Sequence, residues 1–156
     1  MREIDDDALW LSDKLFKLSG DPESRALVRE MRKRAEAGVP LDDAEANTKQ
    51  RPNDFGMEIV GSVLTIVVLE ALKAFWSAYL KKLTDGLATK AAELTTDVVR
   101  THFLAQLEGP ASKPLLAEIE ARLESEANRL GIELAEVDRV KAALRDTTRL
   151  AAELRH

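Results

Sequence analysis

The side chains best suited to acid–base catalysis or metal binding are two histidines, His102 and His156, which lie far apart in the sequence. Helical metal sites use histidines about one turn apart, as in His-x-x-x-His, and no such pair occurs here. His102 has apolar neighbours, which is typical of a packing or surface residue of a helix. We therefore predict no catalytic residue around either histidine.

Two short acidic runs are the other groups with a metal-binding character. The aspartates at 5–7 stand where a helix is predicted to begin, and acids at that end cap the helix and complement its dipole. The acids within 42–45 lack the glycine and the spacing of a calcium loop. Neither a glycine-rich phosphate loop nor a Gly-x-Ser-x-Gly turn occurs. We predict no metal, no cofactor and no small-molecule substrate, and a protein that is not an enzyme.

A basic cluster lies in residues 25–36, "RALVREMRKRAE". At helical spacing its cations follow one flank, and this basic docking face suits an acidic protein partner, then an anionic membrane surface, then nucleic acid. A formal charge of −5 and a pI near 5.2 argue against nucleic acid, because phosphate binding needs a positive field. The alternative is an ordinary solvated face. The four cations that form this face are Arg25, Arg29, Arg32 and Lys33, and the fifth cation of the segment, Arg34, is not assigned to it.

Composition indicates one folded domain. The 156 residues are 45% apolar and 33% charged, which suits a soluble helical protein long enough to bury a substantial core. Aromatic residues make up only 4%, so the core is predicted to depend on Leu, Ile, Val and Ala. The chain has no cysteine, which fits a reducing compartment, and its first residues form no secretory signal. We expect a cytoplasmic protein.

Residues that typically start or end helices recur along the chain, and strand patterns are almost absent. We therefore predict an all-α bundle of five or six helices. Gly20 ends a first helix, and Asp21 with Pro22 begins a second that ends near Gly38. A linker of about 17 residues follows, longer than ordinary helix connections, and it predicts a mobile arm or a segment that wraps around the domain. The three predicted parts are an N-terminal helical pair with its linker (1–50), apolar central helices (51–109) and a C-terminal hairpin (110–156).

The C-terminal hairpin is predicted from two amphipathic stretches that meet at Gly131. Apolar residues recur every three or four positions on both sides of this glycine, with glutamate and arginine between them. Neither helix can bury its apolar stripe alone, so the two are expected to fold back antiparallel with coiled-coil-like packing. The second helix is predicted to run to the end of the sequence.

The middle of the chain holds one long apolar helix, predicted from Phe55 to about Leu83, and its residues 59–80 read "IVGSVLTIVVLEALKAFWSAYL". Only 11 charged side chains occur in residues 55–109, against 23 in residues 1–54. On a helical projection the polar residues, including Thr65, Glu70 and Lys73, collect on one strip, while the rest of the surface is apolar and needs cover. The apolar side predicts a core helix that also offers a partner or lipid interface, made by Val60, Leu64, Val67, Val68, Phe75 and Tyr79.

Two functions fit this helix. The first is a non-enzymatic interaction or assembly module that binds a second copy or another protein through the apolar central helix. The second is a membrane-active protein, soluble at rest, that inserts residues 55–80 into lipid on a trigger. On an insertion scale the apolar residues contribute roughly −3 to −7 kcal/mol and Glu70 with Lys73 cost roughly 5 to 7 kcal/mol, so the balance is near zero. The sequence favours the first function.

Overall fold

A computed structural model of the protein describes residues 4–36, 56–86 and 95–155, and every regular element in these ranges is an α-helix. The all-α bundle is thereby confirmed, with seven described helices where the sequence predicts five or six. The predicted linker after Gly38 lies outside the described residues. In chain order the helices are α1 (Ile4–Leu18), α2 (Pro22–Glu36), α3 (Gly56–Gly86), α4 (Thr96–Glu108), α5 (Ser112–Leu130), α6 (Leu134–Arg145) and α7 (Thr147–Leu154).

The turn between α1 and α2 follows the predicted signals. Gly20 adopts a left-handed conformation with φ of +73°, which glycine reaches without a steric penalty. The Asp21 amide then donates to the Phe16 carbonyl at 3.0 Å, a bond that closes the end of α1. The Asp21 carboxylate accepts from the Ser24 amide at 3.1 Å, so Asp21 is the N-cap of α2, and Pro22 is its first residue.

Helices α5 and α6 form the predicted antiparallel hairpin. Gly131 ends α5 with φ of +76° and ψ of 24°. Two ion pairs then record the direction of packing: Lys141 of α6 contacts Glu124 of α5, and Arg145 contacts Glu120 at 2.7 Å. The step from Lys141 to Arg145 goes forward along α6, whereas the step between their partners, from Glu124 to Glu120, goes backward along α5. Only an antiparallel arrangement gives this pattern.

The prediction of one continuous final helix is wrong. Asp146 separates α6 from α7 with φ of −83° and ψ of 70°, and its carboxylate accepts from the Arg149 amide at 3.4 Å. Aspartate favours this geometry because its side chain competes with the helix for backbone amides. The break allows α7 to pack against both α1 and α4.

Helix α3 extends slightly further than predicted. The Thr84 hydroxyl donates to the Leu80 carbonyl at 3.0 Å, and the described helix includes the residues "TDG" at 84–86. Helix α3 packs most extensively on α5, then on α1 and on α2.

Helix α1 is as central as α3. It contacts α2, α3, α6 and α7, and its apolar residues such as Leu9, Leu15 and Phe16 are fully buried. The first predicted part of the chain therefore packs on the core through α1. Most buried residues are Leu, Ile, Val or Ala, as predicted, and the largest fully buried side chains also include several aromatic ones, Trp76 among them.

Candidate functional site

Helix α3 is covered on every side along residues 64–69, all of which are buried. Some of the apolar side chains predicted as an interface lie within this buried stretch, and others, such as Phe75 and Tyr79, lie further along α3 and contact α4. A partner would reach these side chains only after a covering helix moved away. Val60 belongs to α3, but its side chain lies outside the described residues. The buried members of the predicted interface are Leu64, Val67, Val68, Phe75 and Tyr79.

An aromatic cluster holds α4 against α3 and α1. The fully buried Phe103 of α4 is its centre, with ring centroids 6.4 Å from Trp10, 6.0 Å from Phe75, 4.9 Å from Trp76 and 5.9 Å from Tyr79. Five of the seven aromatic residues of the chain thus meet at one place. These ring contacts join α4 to α1 and α3.

The polar groups at the edge of this cluster bond to one another within the chain. The Tyr79 hydroxyl donates to Gln106 Oε1 at 2.5 Å, and burial raises the pKa of Tyr79 well above its ordinary value. His102 lies half-buried beside it, with ring centroids 6.3 Å apart. These groups hold α4 to α3. Within the described part of the chain, no three histidine, aspartate or glutamate side chains are placed to hold a metal ion.

The aspartates at 5–7 do lie in the first turns of α1, which begins at Ile4. Asp7, however, is fully buried and lies 3.4 Å from the Arg100 guanidinium of α4. The same guanidinium stacks over the Trp10 ring at 4.4 Å. A capping role alone is therefore an incomplete account, because Asp7 also anchors α4 to α1.

The basic docking face of α2 is partly neutralised within the chain. Arg25 and Arg29 approach the Asp13 carboxylate at 3.0 and 3.6 Å, and the Asp13 side chain is only 8% exposed. Arg32 is half-buried and Lys33 is exposed. The structure therefore places the four cations on one helix, with two of them paired to α1, and the docking role stays a prediction.

Helix α3 is open along one face from Glu70 onward. Glu70 and Lys73 are about a quarter exposed and lie 3.7 Å apart. Ala74 is half-buried, and Ser77 and Lys81 are exposed. By helical geometry this face lies opposite the aromatic cluster. We call these five residues, Glu70, Lys73, Ala74, Ser77 and Lys81, the α3 strip.

The polar strip predicted from the sequence coincides with the α3 strip over the C-terminal half of the predicted strip. Thr65 is the exception, because it is fully buried although the projection placed it with the polar residues. Near position 65 neighbouring helices cover α3 all round, so its polar sector closes there. The structure thus brings Glu70 and Lys73 together, as the three-residue spacing predicts.

Sequence reasoning missed the buried carboxylates of α1. Asp13 shares the apolar stripe of Leu9 and Phe16, and Asp7 shares that of Leu11 and Leu15. A carboxylate that is buried within an apolar stripe needs a cation or hydrogen-bond donors close to it, so the signal was present in the spacing. Its partners on α2 and α4 were not predictable from that spacing.

Comparison of the chain with protein-family models, with curated proteins and with solved structures found no match.

Proposed function

We propose that the protein is a non-enzymatic interaction module that binds a protein partner, or a second copy of itself, through its central helix α3. One observation carries this proposal. Helix α3 is covered on every side along 64–69 and then presents the α3 strip to solvent. The contact surface is therefore the strip, while the apolar residues first predicted as the interface support it from inside the core.

The chemistry of the strip supports helix docking. Its centre is formed by Ala74 and Ser77, whose small side chains let a second helix approach closely. Here charges occur at the edges and ends of the strip, at Glu70, Lys73 and Lys81, where they can select a partner by sign.

Site-specific photocrosslinking tests this proposal. A photocrosslinking amino acid at Ser77 should give a discrete adduct with the partner or with a second copy, because this position lies at the centre of the strip. The matched control is Ala121, which is exposed on α5 outside the strip. With the crosslinker kept at Ser77, the variant Ala74→Arg should abolish the adduct and Ala121→Arg should leave it unchanged. Equal adducts from both positions would contradict the proposal.

A second candidate, insertion of α3 into lipid on a trigger, is favoured by one observation. The segment Val63–Asp85 is long and apolar enough to cross a membrane by length and composition, as core helices of soluble proteins also are, and 61% of its most apolar window is buried in the bundle. Insertion would require α1, α2 and α5 to release it.

The cysteine-free chain makes that candidate directly testable. A polarity-sensitive dye on Ser77→Cys should shift to shorter wavelengths with anionic liposomes if α3 enters the bilayer, whereas the dye on Ala121→Cys should not. The readout needs no substitution in the core, so it separates insertion from unfolding. Unchanged spectra at both positions from neutral to acidic pH would refute insertion.

A further inference from the structure

We propose that the partner docking on the α3 strip is a second copy of this chain, with its α3 antiparallel. This inference rests on the proposed function and specifies the partner. Helix α3 is self-complementary in one direction only, and the charges of the strip determine that direction.

The charges stand at opposite ends of the strip. Glu70 and Lys81 are eleven residues apart, about 16 Å along the helix axis, and lie on almost the same face. A twofold axis midway between them sets Glu70 opposite the Lys81 of the second copy, and the reverse pair forms by symmetry. Ala74 and Ser77 then face each other at the centre, where small side chains are needed.

Other arrangements are less favourable. A parallel pair sets Glu70 beside its own copy and does the same for Lys73 and Lys81, so every charge meets its like. An antiparallel pair shifted by one turn brings Glu70 opposite Asp85 and Lys73 opposite Lys82. A shift by one turn in the other direction leaves Glu70 and Lys81 opposite uncharged residues. The centred register alone among these pairs opposite charges at both ends.

The existing contacts of the strip are compatible with this docking. Glu70 and Lys73 lie 3.7 Å apart and are each about a quarter exposed, so both side chains can be reached by a second copy. Ser77 and Lys81 are exposed to solvent. Three turns of paired helix form a small interface, which belongs to the weak and transient class. Association is therefore expected over roughly 10 µM to 1 mM.

Sedimentation equilibrium over that range at low salt tests the inference. The wild type should dimerise, and Glu70→Lys or Lys81→Glu alone should weaken the dimer about tenfold, because each reversal sets like charges at both ends. The double variant carrying both reversals should restore the dimer, and so should a mixture of the two single variants. Asp138→Lys, on the exposed face of α6, should behave as the wild type.

Three outcomes would overturn the inference: a wild type that stays monomeric at the highest concentration, a dimer that the single reversals leave unchanged, or no recovery in the double variant. Circular dichroism of each variant verifies that the helices are intact, and Lys81 is exposed, so its reversal spares the core. A monomer that still gives a Ser77 adduct with another protein would overturn the self-docking alone. Equal adducts from Ser77 and Ala121 would contradict the proposed function itself.

Discussion

Replacement of Phe103 by alanine should produce one of the largest losses of stability available in this protein. The Phe103 ring is fully buried and lies within 6.4 Å, between ring centroids, of four other aromatic rings. Replacing a buried phenylalanine by alanine costs about 3 to 5 kcal/mol, a range that already includes its ring contacts, and four ring partners place Phe103 in the upper half of it. We expect a loss in the free energy of unfolding of about 4 to 5 kcal/mol.

The assay is urea unfolding followed by far-ultraviolet circular dichroism. The matched control is Val98→Ala on the same helix, where the side chain is 47% exposed and the expected loss is within about 0.5 kcal/mol. Phe103→Leu should fall between the two, since it keeps most of the apolar volume and loses the ring contacts. A Phe103→Ala loss below about 1 kcal/mol, or equal to that of Val98→Ala, would refute the packing of α4 through the aromatic cluster.

The remaining predictions concern a buried phenol, a glycine and an ion-pair group. Burial raises the pKa of Tyr79, the single tyrosine, above its unfolded value of roughly 10. The stability that the buried, neutral phenol contributes is therefore present below that pH and is lost as pH rises further. Phenolate absorbance should therefore appear together with loss of helical signal in an alkaline titration, and phenolate in an intact fold would contradict its burial. Gly131→Ala should cost about 1 kcal/mol in urea unfolding through the positive φ alone, since an added Cβ meets no atom within 4 Å, and an unchanged midpoint would exclude this strain. Arg25→Ala and Arg29→Ala should be individually mild and jointly worse than additive, because each leaves Asp13 one cation, and strict additivity in a double-mutant cycle would show that they do not share it.

Local signals account for the parts of the fold that the sequence predicted correctly. The left-handed glycines Gly20 and Gly131 and the cap at Asp21 act through backbone geometry within a few residues, so their effects can be read without tertiary information. Asp146 is equally local but was overlooked, because apolar periodicity continues across it into α7. The antiparallel α5–α6 hairpin was predictable because two apolar stripes joined by a tight turn have few other ways to be buried.

The candidate site was predicted only in part. Glu70 and Lys73 were placed on a polar strip from spacing alone, and this holds where α3 faces solvent. Val67 and Phe75 were assigned to a core helix that also offers an interface, because an apolar side chain is equally suited to a core and to a partner. The choice depends on which helices pack around α3, and no pattern within α3 contains that information.

The sequence by itself determined the all-α class, the long apolar helix, most helix ends and the hairpin, because these depend on propensities and on periodicity within single segments. Only the tertiary structure decided which face of α3 stays open, that Asp7 and Asp13 are buried beside arginines of α4 and α2, and that five scattered aromatic residues form one cluster. These features join residues far apart in the chain. They follow from the shared requirement of all helices to bury apolar surface at once, which no single segment specifies.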